Sequence, residues 1–253
     1  EISEEELKTK PPAQQEKIDH DASIDHDSVA WSKNPTKEQL HRMRAHYLAN
    51  VTMIDEKVGQ IIDALDKKGY LDNTIIIFTS DHGDCLGDYG LIQKWTMYDI
   101  ITRTPLIVWG PNHFSGGRRV DHLCQQFDIA PVIFHYAGLT PPADWEAKSL
   151  MPYIEGESDE PLREYVFAEQ IRDGILTGTD FMTMVRSKDW KLVHYLDDKN
   201  QGELYNLKED PGEHRNLWYD ESFQEKKKEM EDVLLRWRMY SDISTQDKNI
   251  EWR

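Results

Sequence analysis

The 253-residue chain (29.7 kDa) is long enough for one large domain or two small ones, and 38% hydrophobic residues with eight tryptophans exclude a disordered polyelectrolyte. Forty-seven acidic against 30 basic residues give a formal net charge of -17, which argues against nucleic acid and anionic membrane surfaces as partners. No apolar run approaches the roughly 18 to 20 residues of a membrane span, Cys85 and Cys124 have neither metal-finger nor disulfide-scaffold spacing and read as buried thiols, and a start at Glu1 with no signal sequence leaves localisation open.

Residues 1–35 are rich in Glu, Lys, Asp and Pro and read as an exposed lead-in. Thr36 and Gln39 then form a capping box, and Leu40, Met43, Tyr47, Val51, Ile54, Val58, Ile61 and Leu65 recur at three- and four-residue steps, predicting a long amphipathic helix ending near Gly69. Thr74 to Phe78 is continuously apolar and mostly β-branched, as a central strand covered on both faces would be. It stops at Ser80-Asp81-His82-Gly83. A loop punctuated by Gly87 and Gly90 leads through Lys94 to Tyr98 and then to a second buried strand over 105–109. Helix, strand, loop, strand indicates an α/β sheet. Asp128 to Tyr136, stopped by Gly138, reads as a short helix.

From Tyr165 the pattern changes to short strand candidates over 165–168, 181–185 and 190–195, which suggests a small antiparallel sheet. A final helix is expected over 222–240, with Phe223, Met230, Val233, Leu234 and Trp237 on one stripe. The prolines and acidic loop of residues 140–163 mark a boundary, which divides the chain into a lead-in (1–35), an α/β part (36–150) and an antiparallel subdomain with a C-terminal helix (151–253).

In open α/β sheets ligands bind beyond the carboxyl ends of strands, where Asp81 and His82 fall. A hard carboxylate oxygen and an imidazole nitrogen suit one divalent cation, and Gly83 permits the tight turn that would bring them together. Equally, Asp81 can cap the turn and His82 can be an exposed loop residue. Lys94, thirteen positions after Asp81, can fold back to hold an anionic oxygen beside the cation, or be a solvated lysine next to Trp95.

Five stretches in order, YLANVTMIDEKVG (47–59), NTIIIFTSDHGDCLGDYG (73–90), KWTMYDIITRTPLIVWGP (94–111), DIAPVIFHYAG (128–138) and ELYNLKEDPGEHRN (203–216), resemble the sulfatase family of the alkaline phosphatase superfamily. The resemblance implies a mixed sheet flanked by helices, with Asp81 and His82 as two ligands of a divalent cation, commonly calcium with manganese as the alternative, and Lys94 as the catalytic contact to the sulfate oxygens. Tyr89 stands where many members have His, and Arg103 also matches the pattern. Family members attack sulfur with a formylglycine made from the cysteine of a Cys-x-Pro-x-Arg motif, and neither Cys85 nor Cys124 lies in such a motif. The nucleophile and the remaining metal carboxylates are therefore expected in an amino-terminal half, which becomes a partner of this chain alongside the sulfate ester. This chain by itself is expected to be inactive. Two alternatives remain open: a phosphodiesterase or phosphonate monoester hydrolase of the same superfamily, and a non-catalytic member or fragment. Oligomeric state and the substrate's leaving group are not legible.

Overall fold

The computed structural model describes residues 2–23, 35–171, 181–196, 198 and 200–245. Among these, residues up to Arg118 form one unit and residues from Arg119 form a second.

The first unit opens with a single helical turn, α1 (Glu4–Leu7), and a longer helix, α2 (Pro12–Ser23). Here the structure corrects the expected exposed lead-in. Ala13, Gln14 and Lys17 are buried at the three- and four-residue steps of one face of α2, and Lys10, two residues before the helix, is buried too. The stripe is mostly polar, so no apolar period marks it in the sequence. Residues 24–34 of the lead-in lie outside the described residues.

The expected long helix is present as α3 (Lys37–Lys67), and Thr36 and Gln39 form the reciprocal capping box at its start. None of its residues is buried. Strand β1 (Ile76–Thr79) pairs antiparallel with β4 (Leu106–Trp109), with Phe78 opposite Ile107. These strands are not covered on both faces as their composition suggested: Ile107 is 57% exposed, and Phe78 and Trp109 are also open. The alternating burial of β4 shows one face partly packed and the other bare. Between the two strands run a small hairpin of β2 (Cys85–Leu86) and β3 (Ile92–Gln93), and the short helix α4 (Asp99–Thr102).

In the second unit, the Gln126–Asp128 turn leads into α5 (Ile129–Tyr136), the short helix read from the sequence, with Gly138 beyond it at φ +69°. After α6 (Met151–Ile154) come four strands, β5 (Val166–Ile171), β6 (Phe181–Arg186), β7 (Trp190–Tyr195) and β8 (Gly202–Asn206), as a sequential antiparallel meander. The last of them was not anticipated as a strand. Helix α7 (Gln224–Thr245) follows, and Met230 and Leu234 from it pack with Val185, Leu192, Leu204, Leu217 and Trp218 to form the core. A mixed helical and sheet architecture with a small antiparallel sheet and a C-terminal helix is thus the observed fold.

The units divide at Arg118–Arg119 rather than near residue 150. Polar ties explain why residues 119–150 belong with the antiparallel sheet. Buried Asp128 accepts from the Lys148 backbone N–H at 2.7 Å and from Arg163 at 2.5 Å, while Gln125 donates to the β5 carbonyl of Phe167 at 3.0 Å. No composition boundary reports such contacts.

Candidate active site

The site is built where β1 ends. Ser80 Oγ donates to the His82 carbonyl at 2.9 Å, and the His82 N–H donates to Asp81 Oδ1 at 2.9 Å, which folds the strand exit into a tight turn. Gly83 N–H then donates to the Ile101 carbonyl at 2.8 Å. The approach is so close that a Cβ on Gly83 would lie 1.8 Å from the Ile100 carbonyl oxygen. Glycine is needed here for space.

His82 Nδ1 lies 2.7 Å from the Gly83 carbonyl oxygen, which can only accept, so Nδ1 carries the proton and Nε2 presents its lone pair. That lone pair meets a cation already: Lys94 Nζ is 3.1 Å away. Asp81 Oδ2 is 3.4 Å from the same nitrogen, and the Asp81 side chain is 84% exposed. The three side chains named from the sequence therefore meet at one point. The His82 N–H bond holds the Asp81 carboxyl below its ordinary range, keeping it an anionic donor. The fit to a divalent cation is consistent but partial. Carboxylate oxygen and imidazole nitrogen face the same place, yet among the described residues no group of three or more His, Cys, Asp or Glu side chains could hold a metal ion.

Asp84 was not singled out from the sequence. It is half-buried, and burial raises its pKa, opposed by a bond from the Gln93 backbone and by the nearby charges of Lys17 and Lys94. Its place one residue after the Asp-His-Gly turn was the available signal. The loop carrying Lys94 is strained: Tyr89, Gln93 and Trp95 have φ of 56°, 59° and 68°, a region costly for residues with a Cβ. Cys85 is buried, and its thiol is pushed up to about 12 by burial. Cys124, expected to be buried as well, is exposed.

Two family models match the chain: "Sulfatase" over residues 6–139 and "N-sulphoglucosamine sulphohydrolase, C-terminal" over residues 87–240. The chain belongs to the sulfatase family. The first match begins before α2, in keeping with a packed rather than dangling segment there. Among curated relatives, the N-acetylglucosamine-6-O-sulfatase of Bacteroides thetaiotaomicron is 33% identical over 190 residues, covering 74% of this chain and 34% of the relative. A protein solved in complex with its substrate D-glucosamine-2-N,6-O-disulfate superposes with a TM-score of 0.71 at 31% identity, covering 80% of this chain and 42% of that one. The phosphonate monoester hydrolase of Silicibacter pomeroyi gives a TM-score of 0.81 at 26% identity, covering 94% of this chain and 49% of that one. The chain thus spans half or less of the length of each of these sulfatase and alkaline-phosphatase-like relatives.

Proposed function

We propose that this chain is the carboxy-terminal part of a sulfatase that hydrolyses a sulfate ester with a divalent cation, calcium by first preference and manganese as the alternative. The observation that carries the reading is the meeting of Asp81 Oδ2 and Lys94 Nζ at His82 Nε2, at 3.4 Å and 3.1 Å. Asp81 and His82 would supply two of the metal's ligands, and a formylglycine nucleophile and the remaining ligands would come from an upstream part of the same protein. When bound, the cation neutralises the ester oxygens and orients the nucleophile.

The residues of this chain do the rest. The Nδ1 bond to Gly83 holds the His82 ring in the tautomer and direction that present a lone pair rather than an N–H at Nε2. Lys94, turned toward that nitrogen, presents its ammonium to the equatorial oxygens of the ester as charge builds on them. Upstream polypeptide also has a surface to occupy. Val51, Ile54 and Ile61 on α3, and Phe78, Ile107 and Trp109 on the β1–β4 pair, are exposed large apolar residues.

The test is hydrolysis of an aryl sulfate by the protein extended with its upstream half. Lys94→Ala is expected to lower kcat by about a hundredfold or more, the scale of losing one oxyanion contact. Asp81→Ala is expected to lower activity and to weaken calcium binding. The 253-residue chain alone should show no turnover; hydrolysis by it that Asp81→Ala abolishes would overturn the proposal. The phosphonate monoester hydrolase likeness supports a second reading, that of a phosphonate or phosphate ester hydrolase. Rates on matched sulfate and phosphonate esters separate the two.

A further inference from the structure

Helix α2 and Lys10, two residues before it, grip the Lys94 loop at several points. Lys10 Nζ lies 5.1 Å and 4.8 Å from the ring centres of Tyr89 and Tyr98, which are themselves stacked at 4.0 Å. Gln14 donates to the Tyr89 carbonyl at 3.0 Å and accepts from the Tyr98 hydroxyl at 2.6 Å. Lys17 goes deepest: its side chain is 1% exposed, and its ammonium donates to the Ile92 carbonyl at 2.9 Å and pairs with Asp21 at 2.5 Å. The same ammonium stands 5.3 Å from the Trp95 ring centre, and Lys94 Nζ stands 5.9 Å from that ring.

Those contacts bracket Lys94 on both sides. Gln93 and Trp95, its two neighbours, both sit at positive φ, a conformation that persists only where the surroundings hold it. A buried ammonium is costly unless it is paired and hydrogen-bonded, and here its bonds end on the residue preceding this strained turn and on the indole following it. The geometry points to Lys17 as a positioning residue that fixes the Gln93-Lys94-Trp95 turn, so that α2 acts as a clamp on the anion-binding lysine. The structural part stands on these contacts alone; the catalytic consequence rests on the anion-binding reading of Lys94.

Two measurements test it. In the 253-residue chain, hydrogen–deuterium exchange over residues 92–96 is compared for wild type, Lys17→Met and Lys17→Arg. The Met variant keeps the length of the stem and removes the charge and donor, so exchange there is expected to rise about tenfold; Arg can still donate to Ile92 and stack on Trp95, and should restore most of the protection. Unchanged exchange in Lys17→Met overturns the clamp. If that variant does not fold, Lys17→Leu, which likewise removes both the charge and the donor, is read the same way.

In the protein extended with its upstream half, Lys17→Met is expected to lower kcat about tenfold with little change in KM. In a Lys94→Ala background the same change should cost less than about twofold, because it acts through Lys94. An undiminished loss in that background identifies Lys17 as a merely structural residue and overturns the catalytic consequence. A protein that hydrolyses neither sulfate nor phosphonate esters defeats the functional reading, and the exchange measurement then decides the clamp alone.

Discussion

Gly83 shows how a single position decides the site. The turn it occupies presses against the backbone of Ile100 and Ile101, and a backbone carbonyl cannot rotate aside as a side chain can. Gly83→Ala is therefore expected to cost about 3 kcal/mol or more, read as a fall in the thermal midpoint, and to displace His82. The two cysteines differ at the same scale. Cys124 is exposed, with partial burial of its thiol raising the pKa, whereas Cys85 is buried with a thiol pushed up to about 12, and the thiolate is the reactive form. Ellman's reagent at pH 8 should titrate one thiol promptly and the second only on unfolding; two prompt thiols would contradict the burial of Cys85.

At the scale of elements, the antiparallel sheet carries apolar side chains to α7 on one face and a buried polar set on the other. Lys191 pairs with Glu213 at 2.6 Å, both essentially inaccessible. Removing one partner strands a buried charge, so Lys191→Met is expected to cost about 3–5 kcal/mol in urea unfolding, and the double change Lys191→Met with Glu213→Leu should recover much of that loss. On the same sheet, Glu203 accepts from Tyr195 and Tyr205. Burial first, and then the Glu203 charge, hold the Tyr195 pKa well above 10. The neutral phenol is thus favoured in the folded state. Its contribution is fully present below pH 10, the value of a free tyrosine, and is lost as pH rises through the higher folded value. Urea midpoints should fall above pH 10, and less steeply in Tyr195→Phe.

Across the whole molecule, the second unit has a closed core of strand and helix side chains, while the first leaves a 31-residue helix with no buried residue and a two-stranded sheet bare on one face. On the proposed reading, this apolar surface, on a chain that spans half or less of its relatives' length, is what upstream polypeptide would cover. Mixing this chain with that polypeptide is expected to lower binding of an apolar fluorescent dye and to raise the unfolding midpoint; no change in either would overturn that reading. No described helix is long and apolar enough to cross a membrane.

Local signals in the sequence determined the elements whose causes are themselves local. The Thr36–Gln39 box started α3, the β-branched run made β1, and the helical period of α7 marked its core stripe. The convergence of Asp81, His82 and Lys94 was also legible, because a turn after a strand and a glycine-rich loop leave marks in spacing. Tertiary structure alone decided what each element packs against. Composition made β1 and β4 look buried, but burial belongs to neighbours and not to residue type. Residues 119–150 joined the second unit through Asp128, whose partners are up to 35 positions away. The packed face of α2 was hidden for the same reason: lysine and glutamine read as solvated until a carbonyl, a carboxylate and an indole are found around them.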